Sequence, residues 1–416
     1  MTEKRNKIIK DRQYFKFSLY GFLKNLRFYE PFLIIFLVQK GFSYLEIGSL
    51  YAIREVALNV FEIPSGIIAD TLGRKWTLAS TFLIYIISFL IFSFGEGYLL
   101  FSVAMAFYAL ADAARSGVNK ALIIRYLEKT DQAHLKVDYY GHTRSWSQSG
   151  SAISSLLAGA LVFFKGNLNG IFLFSIIPYL LDFILVSSYP NNLDDHVKSS
   201  ISIKDRFAAL GRTFKITFKN LSLLRALTNT SIYTGLYKSM KDFIQPFLKT
   251  SLAAIPVLMY LNNEQKLSVL IGVTYFLIFV ASAISSRFAK NITEKLGGQR
   301  RVLNISLIVG ASLGIISGVL MSSFIVPMLV VPLFIVLIII ENLRKPAAIS
   351  EITNDVDNAA RTSVLSILSQ MSSIFAAVFV LLIGFIADSF NLGYGIAVVS
   401  TILLLSLPFS LIRSSK

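Results

Sequence analysis

Apolar runs of about 20 residues, the length a helix needs to cross the hydrocarbon core of a bilayer, recur along the whole chain and are separated by short polar stretches. Bounded by charge and turn residues, they predict spans near 15–38, 44–70, 76–94, 98–124, 141–163, 170–188, 224–248, 266–288, 302–323, 324–345, 362–386 and 392–412. Backbone groups in lipid must be satisfied within the segment, so spans of this length read as helices. The expectation is an all-α integral membrane protein of twelve transmembrane helices, with no soluble domain attached. The first apolar stretch carries Lys24, Arg27 and Glu30 and lacks a small-residue cleavage site, so it reads as an uncleaved span.

Lys and Arg collect on alternate connections. Lys4, Arg5, Lys7, Lys10 and Arg12 precede span one, and Lys198, Lys204, Arg206, Arg212, Lys215 and Lys219 lie between spans six and seven. The connections toward the other side hold mainly Lys40, Lys165, Lys249 and Lys266. By the positive-inside rule both termini are expected in the cytoplasm. The longest connection, 189–223, has Ser202 and Asp205 at capping-box spacing, then Ile203, Phe207, Leu210, Phe214 and Phe218 at helical spacing among basic residues. It predicts an amphipathic helix on the inner membrane face, between a first six-helix bundle at 1–188 and a second at 224–416.

The two halves also resemble each other. Span one reads Gly21-x-x-Lys24-x-x-Arg27 before Pro31-Phe32-Leu33, and span seven reads Gly235-x-x-Lys238-x-x-Lys241 before Pro246-Phe247-Leu248. Asp112-x-x-Arg115 of span four corresponds to Glu341-x-x-Arg344 of span ten. Asp70-x-x-Gly73-Arg74-Lys75 after span two corresponds to Glu294-x-x-Gly297 after span eight, with Arg300 and Arg301 close behind. Three matches in the same order argue for a duplicated six-span unit. Parallel repeats of this kind, with a site near the midplane between them, belong to alternating-access transporters.

Composition agrees: 54% of the 416 residues are hydrophobic and 15% charged, with a mean hydropathy of +0.64. The formal charge of +16 is explained by loop charge, so no nucleic-acid partner is expected. There are no cysteines, and His134, His142 and His196 fall in or beside polar connections, so neither a metal site nor a cofactor is expected.

Charge inside the spans is selective. Spans three, nine and twelve have no ionisable residue and are expected at the lipid-facing periphery, and span six has only Asp182. Lys24, Arg27, Glu30, Asp112, Arg115, Lys238, Lys241 and Asp242 fall near the predicted midplane, with Glu341 and Arg344 nearer the cytoplasm. A charge facing lipid costs at least a few kcal/mol, so these residues must face protein or a water-filled cavity. Arg27 with Glu30, Asp112 with Arg115, and Glu341 with Arg344 are three apart and can pair on one helix face. Such pairs either brace the helices or form a polar cavity where a substrate or proton competes. Cations (Lys24, Arg27, Arg115, Lys120, Lys238, Lys241 and Arg344) outnumber anions (Glu30, Asp112, Asp242 and Glu341) on spans one, four, seven and ten. Unless Glu55 and Glu62 of span two balance them, that surplus favours a negatively charged substrate.

The stretch Gly66-Ile-Ile-Ala-Asp70-Thr-Leu-Gly73-Arg74-Lys75 resembles the loop between spans two and three of the major facilitator superfamily. Gly66 allows close helix approach, Asp70 can accept bonds from a helix N-terminus, Gly73 permits a tight reversal, and Arg74 and Lys75 suit the cytoplasmic side. The resemblance implies gating for Asp70 and, in the looser second copy, for Glu294 and Gly297. It also makes Arg115 the candidate for the span-four arginine linked to proton coupling, although Ser116 to Asn119 fit that motif imperfectly. Span five, with Gly150 and Gly159, lacks the proline of the drug-antiporter signature.

Together these readings predict a secondary transporter of a small organic solute. Proton-coupled efflux comes first, through the resemblance of Glu62-Ile-Pro64-Ser-Gly66 to efflux members; proton-coupled import of an anionic solute is the alternative. No enzyme is expected, because no nucleophile with a base is found. A monomer in a bacterial inner membrane is the expected setting.

Overall fold

The computed structural model describes residues 8–166, 168–193, 211, 217, 220–254, 260–323, 327–354, 356 and 358–413. The amphipathic stretch expected from 202 to 218 lies almost wholly outside the described residues. Those described are helical: α1 (Arg12–Leu23), α2 (Leu33–Gln39), α3 (Tyr44–Leu72), α4 (Arg74–Phe94), α5 (Gly97–Arg115), α6 (Val118–Lys129), α7 (Lys136–Lys165) and α8 (Asn169–Ser187). After the connection come α9 (Leu221–Met240), α10 (Ile244–Thr250), α11 (Asn263–Lys295), α12 (Gln299–Ser323), α13 (Pro327–Asn354), α14 (Asn358–Ser389), α15 (Leu392–Leu405) and α16 (Leu407–Ser410). Seven helices among the described residues cross on length and apolarity alone. The remaining expected spans are broken (α1 with α2, α9 with α10), charged (α3, α13) or short (α15).

Spans one and seven, expected to be continuous, are interrupted where the repeated charges fall. The Asn25 side chain donates to Gly21 O at 2.6 Å, competing for a carbonyl at the end of α1. Tighter bonds follow, from Asn25 N to Phe22 O and from Leu26 N to Leu23 O. Pro31 then lacks an amide to continue the ladder, and the chain restarts as a short 3-10 turn at Glu30–Phe32 before α2. In the second copy α9 passes through a 3-10 turn at Lys241–Phe243. Pro246 occupies the first turn of α10, where a missing amide leaves no intrahelical bond unmade. The expected span 98–124 likewise stops at Arg115, since Gly117 is left-handed at φ +77°. Lys120 therefore belongs to α6 and leaves the span-four charges.

The described helices group into two compact units, one drawn from Met1–Phe32, Ala57–Ile203 and Ile271–Phe279, the other from Leu33–Val56, Lys204–Leu270 and Val280–Lys416. Within each, the repeated glycine marks a close crossing. A Cβ on Gly21 would stand 2.7 Å from Ser147 Oγ of α7, and one on Gly235 would stand 2.5 Å from Phe375 Cβ of α14.

In the first unit α4 is not merely peripheral. Its face of Phe82, Tyr85, Phe89 and Phe92 is buried against Tyr108, Phe172 and Tyr179. At one end of this unit, three lysines hold the chain just beyond α8: Lys16 donates to Ser188 O (2.5 Å), Lys75 to Asn191 Oδ1 (2.7 Å) and Lys129 to Asn192 O. Cations at a helix C-terminus satisfy carbonyls left open there and complement the dipole.

In the second unit α3 begins against α14. Asp388 accepts from Tyr44 N and Leu45 N, both at 2.8 Å, and the buried Gln245 side chain accepts from Ile34 N at 2.9 Å.

Candidate functional site

In the first unit the paired charges form two small clusters. Arg115 lies 3.0 Å from Asp112, donates through Nε to the Tyr85 hydroxyl at 3.2 Å, and the same hydroxyl donates to Asp112. Arg27 lies 3.7 Å from Glu30. Tyr29 and Tyr108 share a hydrogen bond of 2.7 Å beside them. Lys24 makes no ion pair among the described residues, and its Nζ stands 5.5 Å from the centre of the Tyr20 ring. All five candidates of this half are thus in one unit, though only four are in ion pairs. Tyr85 and Tyr108 escaped sequence reading because a tyrosine among aromatic residues carries no charge signal.

In the second unit Lys238 donates to Glu55 at 2.8 Å and to Ser373 at 3.1 Å, which links α9 to α3 and α14. Arg54 lies 3.9 Å from the other oxygen of Glu55. Lys241 pairs with Asp242 at 2.8 Å, and Tyr51 donates to Asp242 at 3.4 Å. A cavity of about 10 Å³, near the size that holds one water, lies among Tyr233, Tyr237, Lys241 and Phe334. A larger one of about 250 Å³ lies away from the ion pairs, by Tyr44, Pro246 and Asn391.

Glu341 and Arg344 do not form the ion pair that their spacing allows. Glu341 is 1% exposed, accepts from Thr234 at 3.1 Å and has Lys345 at 3.9 Å, while its Oε2 has no hydrogen-bond partner among the described residues. Arg344, equally buried, donates to Asn229 Oδ1 at 2.6 Å and to Asn229 O at 3.1 Å, with its guanidinium over the Tyr233 ring at 4.1 Å. Asn229 in turn donates to Ser410 O and Asn304 Oδ1. The planar guanidinium suits this combination of bonding and stacking, and the spacing of three could not reveal it.

The cation surplus therefore shrinks. Glu55 balances Lys238, as its place on charged span two suggested, and Lys120 has left the count. Lys24 and Arg344 remain as the candidate cations outside ion pairs among the described residues.

At the loop motif, Gly73 has φ +98°, as a tight reversal requires, and Arg74 lies 3.4 Å from Asp70. Lys75 is buried against Asn191. Gly66 is half-buried on α3. In the second copy Gly297 and Gly298 turn the chain at φ +84° and +104°. Glu294, however, is mostly exposed and lies 3.9 Å from Lys290 of its own helix, while Arg300 reaches Glu351 at 2.6 Å. Gly73→Val is expected to cost about 1–3 kcal/mol by forcing a β-branched residue to positive φ, read as a lower thermal unfolding midpoint. An unchanged midpoint would remove the strain argument.

Broken helices bearing ion pairs inside an otherwise apolar helical membrane protein are of the kind from which secondary transporters build their sites, since non-helical backbone at membrane depth is tolerated where it is buried in protein or lines a cavity. The family model of the Major Facilitator Superfamily matches residues 24–369. The chain belongs to that family: it is a multi-pass membrane transporter, and not an enzyme. It is 24% identical over 388 residues to the uncharacterized MFS-type transporter YxaM of Bacillus subtilis (strain 168), covering 91% of this chain and 89% of the relative. Its fold matches the crystal structure of the nucleoside transporter NupG with a TM-score of 0.76 at 15% identity, over 98% of this chain and 100% of that one. A POT family transporter in complex with 5-aminolevulinic acid matches with a TM-score of 0.70 at 12% identity, over 96% of both chains. At these identities the structures establish the fold alone.

Proposed function

We propose that this protein is a proton-coupled secondary transporter that exports a small organic solute by alternating access between a bundle at 1–188 and a bundle at 224–416, joined by 189–223. The observation that carries the reading is the Glu55–Lys238 ion pair on the helix that breaks at Lys241. A carboxylate at membrane depth marks a proton path by default, and Ser373 offers the lysine a second partner when that carboxylate is taken. Both termini are assigned to the cytoplasmic side from the distribution of Lys and Arg, and a bacterial cell membrane is the proposed setting, in keeping with the Bacillus subtilis relative. Export is preferred over import through the resemblance at Glu62, Pro64 and Gly66. Import of an anionic solute is the second reading, supported by Lys24 standing outside the ion pairs. Asp70, Gly73 and Arg74, with Lys75, are the proposed inner gate.

The test begins with a thermal-shift screen of purified protein against small anions, cations and amphiphiles, because a ligand selective for the folded state raises apparent stability. A compound that shifts the midpoint is then added outside acid-interior proteoliposomes containing a pH dye. Antiport predicts that its uptake drives protons out; symport predicts protons moving with it. Solute uptake with no change in internal pH would overturn proton coupling.

A further inference from the structure

Asp182 lies within α8, the span-six helix, and is fully buried. Neither of its carboxylate oxygens has a hydrogen-bond partner among the described residues. An ionised carboxylate held this way would be desolvated without one compensating hydrogen bond, which is costly in an apolar interior.

The surroundings contain a partner held back from it. Tyr179 lies three residues before Asp182, on the same face of α8, and its hydroxyl donates to Lys24 O at 3.4 Å. The Lys24 backbone is thus tied to α8 where the first span breaks, while its ammonium lies near the Tyr20 ring and outside any ion pair among the described residues. Lys24 caps α1 and Asp182 lies within α8, and these two helices pack together. The other titratable groups that feel Asp182 are Tyr20 from α1, Arg115 from α5 and Tyr189 beyond its own helix. Arg115 is engaged by Asp112 and Tyr85. Of the other helices packed on α8, α4 brings Tyr85, bonded to Asp112, and α7 brings Tyr139, packed against Tyr14 and Phe17.

Resting on the proton-coupled reading above, we infer that Asp182 is a proton-carrying site of the first unit, protonated in the conformation described and deprotonated when the Lys24 ammonium moves onto it. In that step the acid O–H bond breaks, the proton leaves to water, and the carboxylate accepts an N–H from Lys24. The ammonium keeps its three protons, so one proton is released and net charge falls by one. The α1 break places the lysine at a point where its side chain can move without dragging a continuous helix.

Infrared difference spectroscopy on the purified full-length protein tests this. At pH 7 a carboxylic-acid C=O band should be present, shift when the wild-type protein is labelled with carboxyl-13C aspartate, and vanish in Asp182→Asn. In Lys24→Gln the band should persist to higher pH than in the wild type, because the cation that favours ionisation has gone. The isotope shift does not depend on either variant folding. Absence of an aspartic-acid band at pH 7, or its survival in folded Asp182→Asn, would overturn the site; a band that titrates identically in Lys24→Gln would overturn the lysine's part. Solute flux without pH change in the vesicle experiment would instead remove proton coupling, and the two failures are read on different instruments.

Discussion

Arg344→Gln is expected to destabilise the protein by about 2–4 kcal/mol, because two hydrogen bonds from a charged donor, at roughly 1.5–3 kcal/mol each, are partly offset by relief of Nε and Nη1, which are buried without a partner among the described residues. The loss has three sources on the same side chain. Asn229 loses both hydrogen bonds from the guanidinium, Tyr233 loses the cation over its ring, and the buried side-chain volume is only partly refilled by the shorter Gln. Because Asn229 also bonds Ser410 O and Asn304, the damage should spread to the end of the chain beyond α15. Glu341→Gln combined with Arg344→Gln should recover part of the loss, since the two groups share one buried environment. Thermal unfolding in detergent checks both statements. A single variant as stable as the wild type would show that Arg344 contributes no net stability where it lies.

Glu55→Gln is expected to lower proton-driven flux at least about tenfold, equivalent to about 1.4 kcal/mol. The substitution leaves Lys238 with Ser373 as its remaining hydrogen-bond partner. The pair is partly open to solvent, with the lysine side chain 30% exposed and the glutamate 9%. Its stability contribution is therefore discounted to about 1 kcal/mol. Flux and stability then separate. If the pair carries protons or substrate, Glu55→Gln with Lys238→Gln restores the unfolding midpoint and stays inactive. If it only braces α3 against α9, the double variant recovers both. Full flux in Glu55→Gln alone would exclude this pair from the coupling path.

The helices and the repeat were legible because lipid permits few solutions: long apolar runs must be helical, and rare charges must face inward. The pairing of Gly21 with Gly235 was readable as a spacing, and its cause is a crossing too tight for a Cβ. The charged helix α3 was legible as inward-facing, which is why Glu55 could be suspected as a partner of Lys238. The helix breaks were not, because hydropathy averages over a turn, whereas the interruption at Asn25 depends on one side-chain amide. Glu341 and Arg344 could pair by spacing but do not, because three-residue spacing permits contact without requiring it and Asn229 of α9 takes up Arg344 instead. Asp182 stood out as the one charge of span six, but a sequence cannot show whether a carboxylate has a partner.

Asp388 accepts both leading amides of α3, and this bears on the balance between conformations. The two residues it joins to are more than three hundred positions away, so no local chain connectivity keeps the carboxylate in place once it lets go. Charge-assisted bonds of this kind are roughly twice as strong as neutral ones, and the amides at a helix start have no other intrahelical acceptor. On the proposed cycle, separating α3 from α14 exchanges both bonds for water in one event, not gradually. The fastener thus acts as a threshold: solute binding that favours the separated state by less than these bonds retain leaves the populations almost unmoved. The balance between the joined and separated states would then depend in part on one exposed acidic side chain near the C-terminal end of α14.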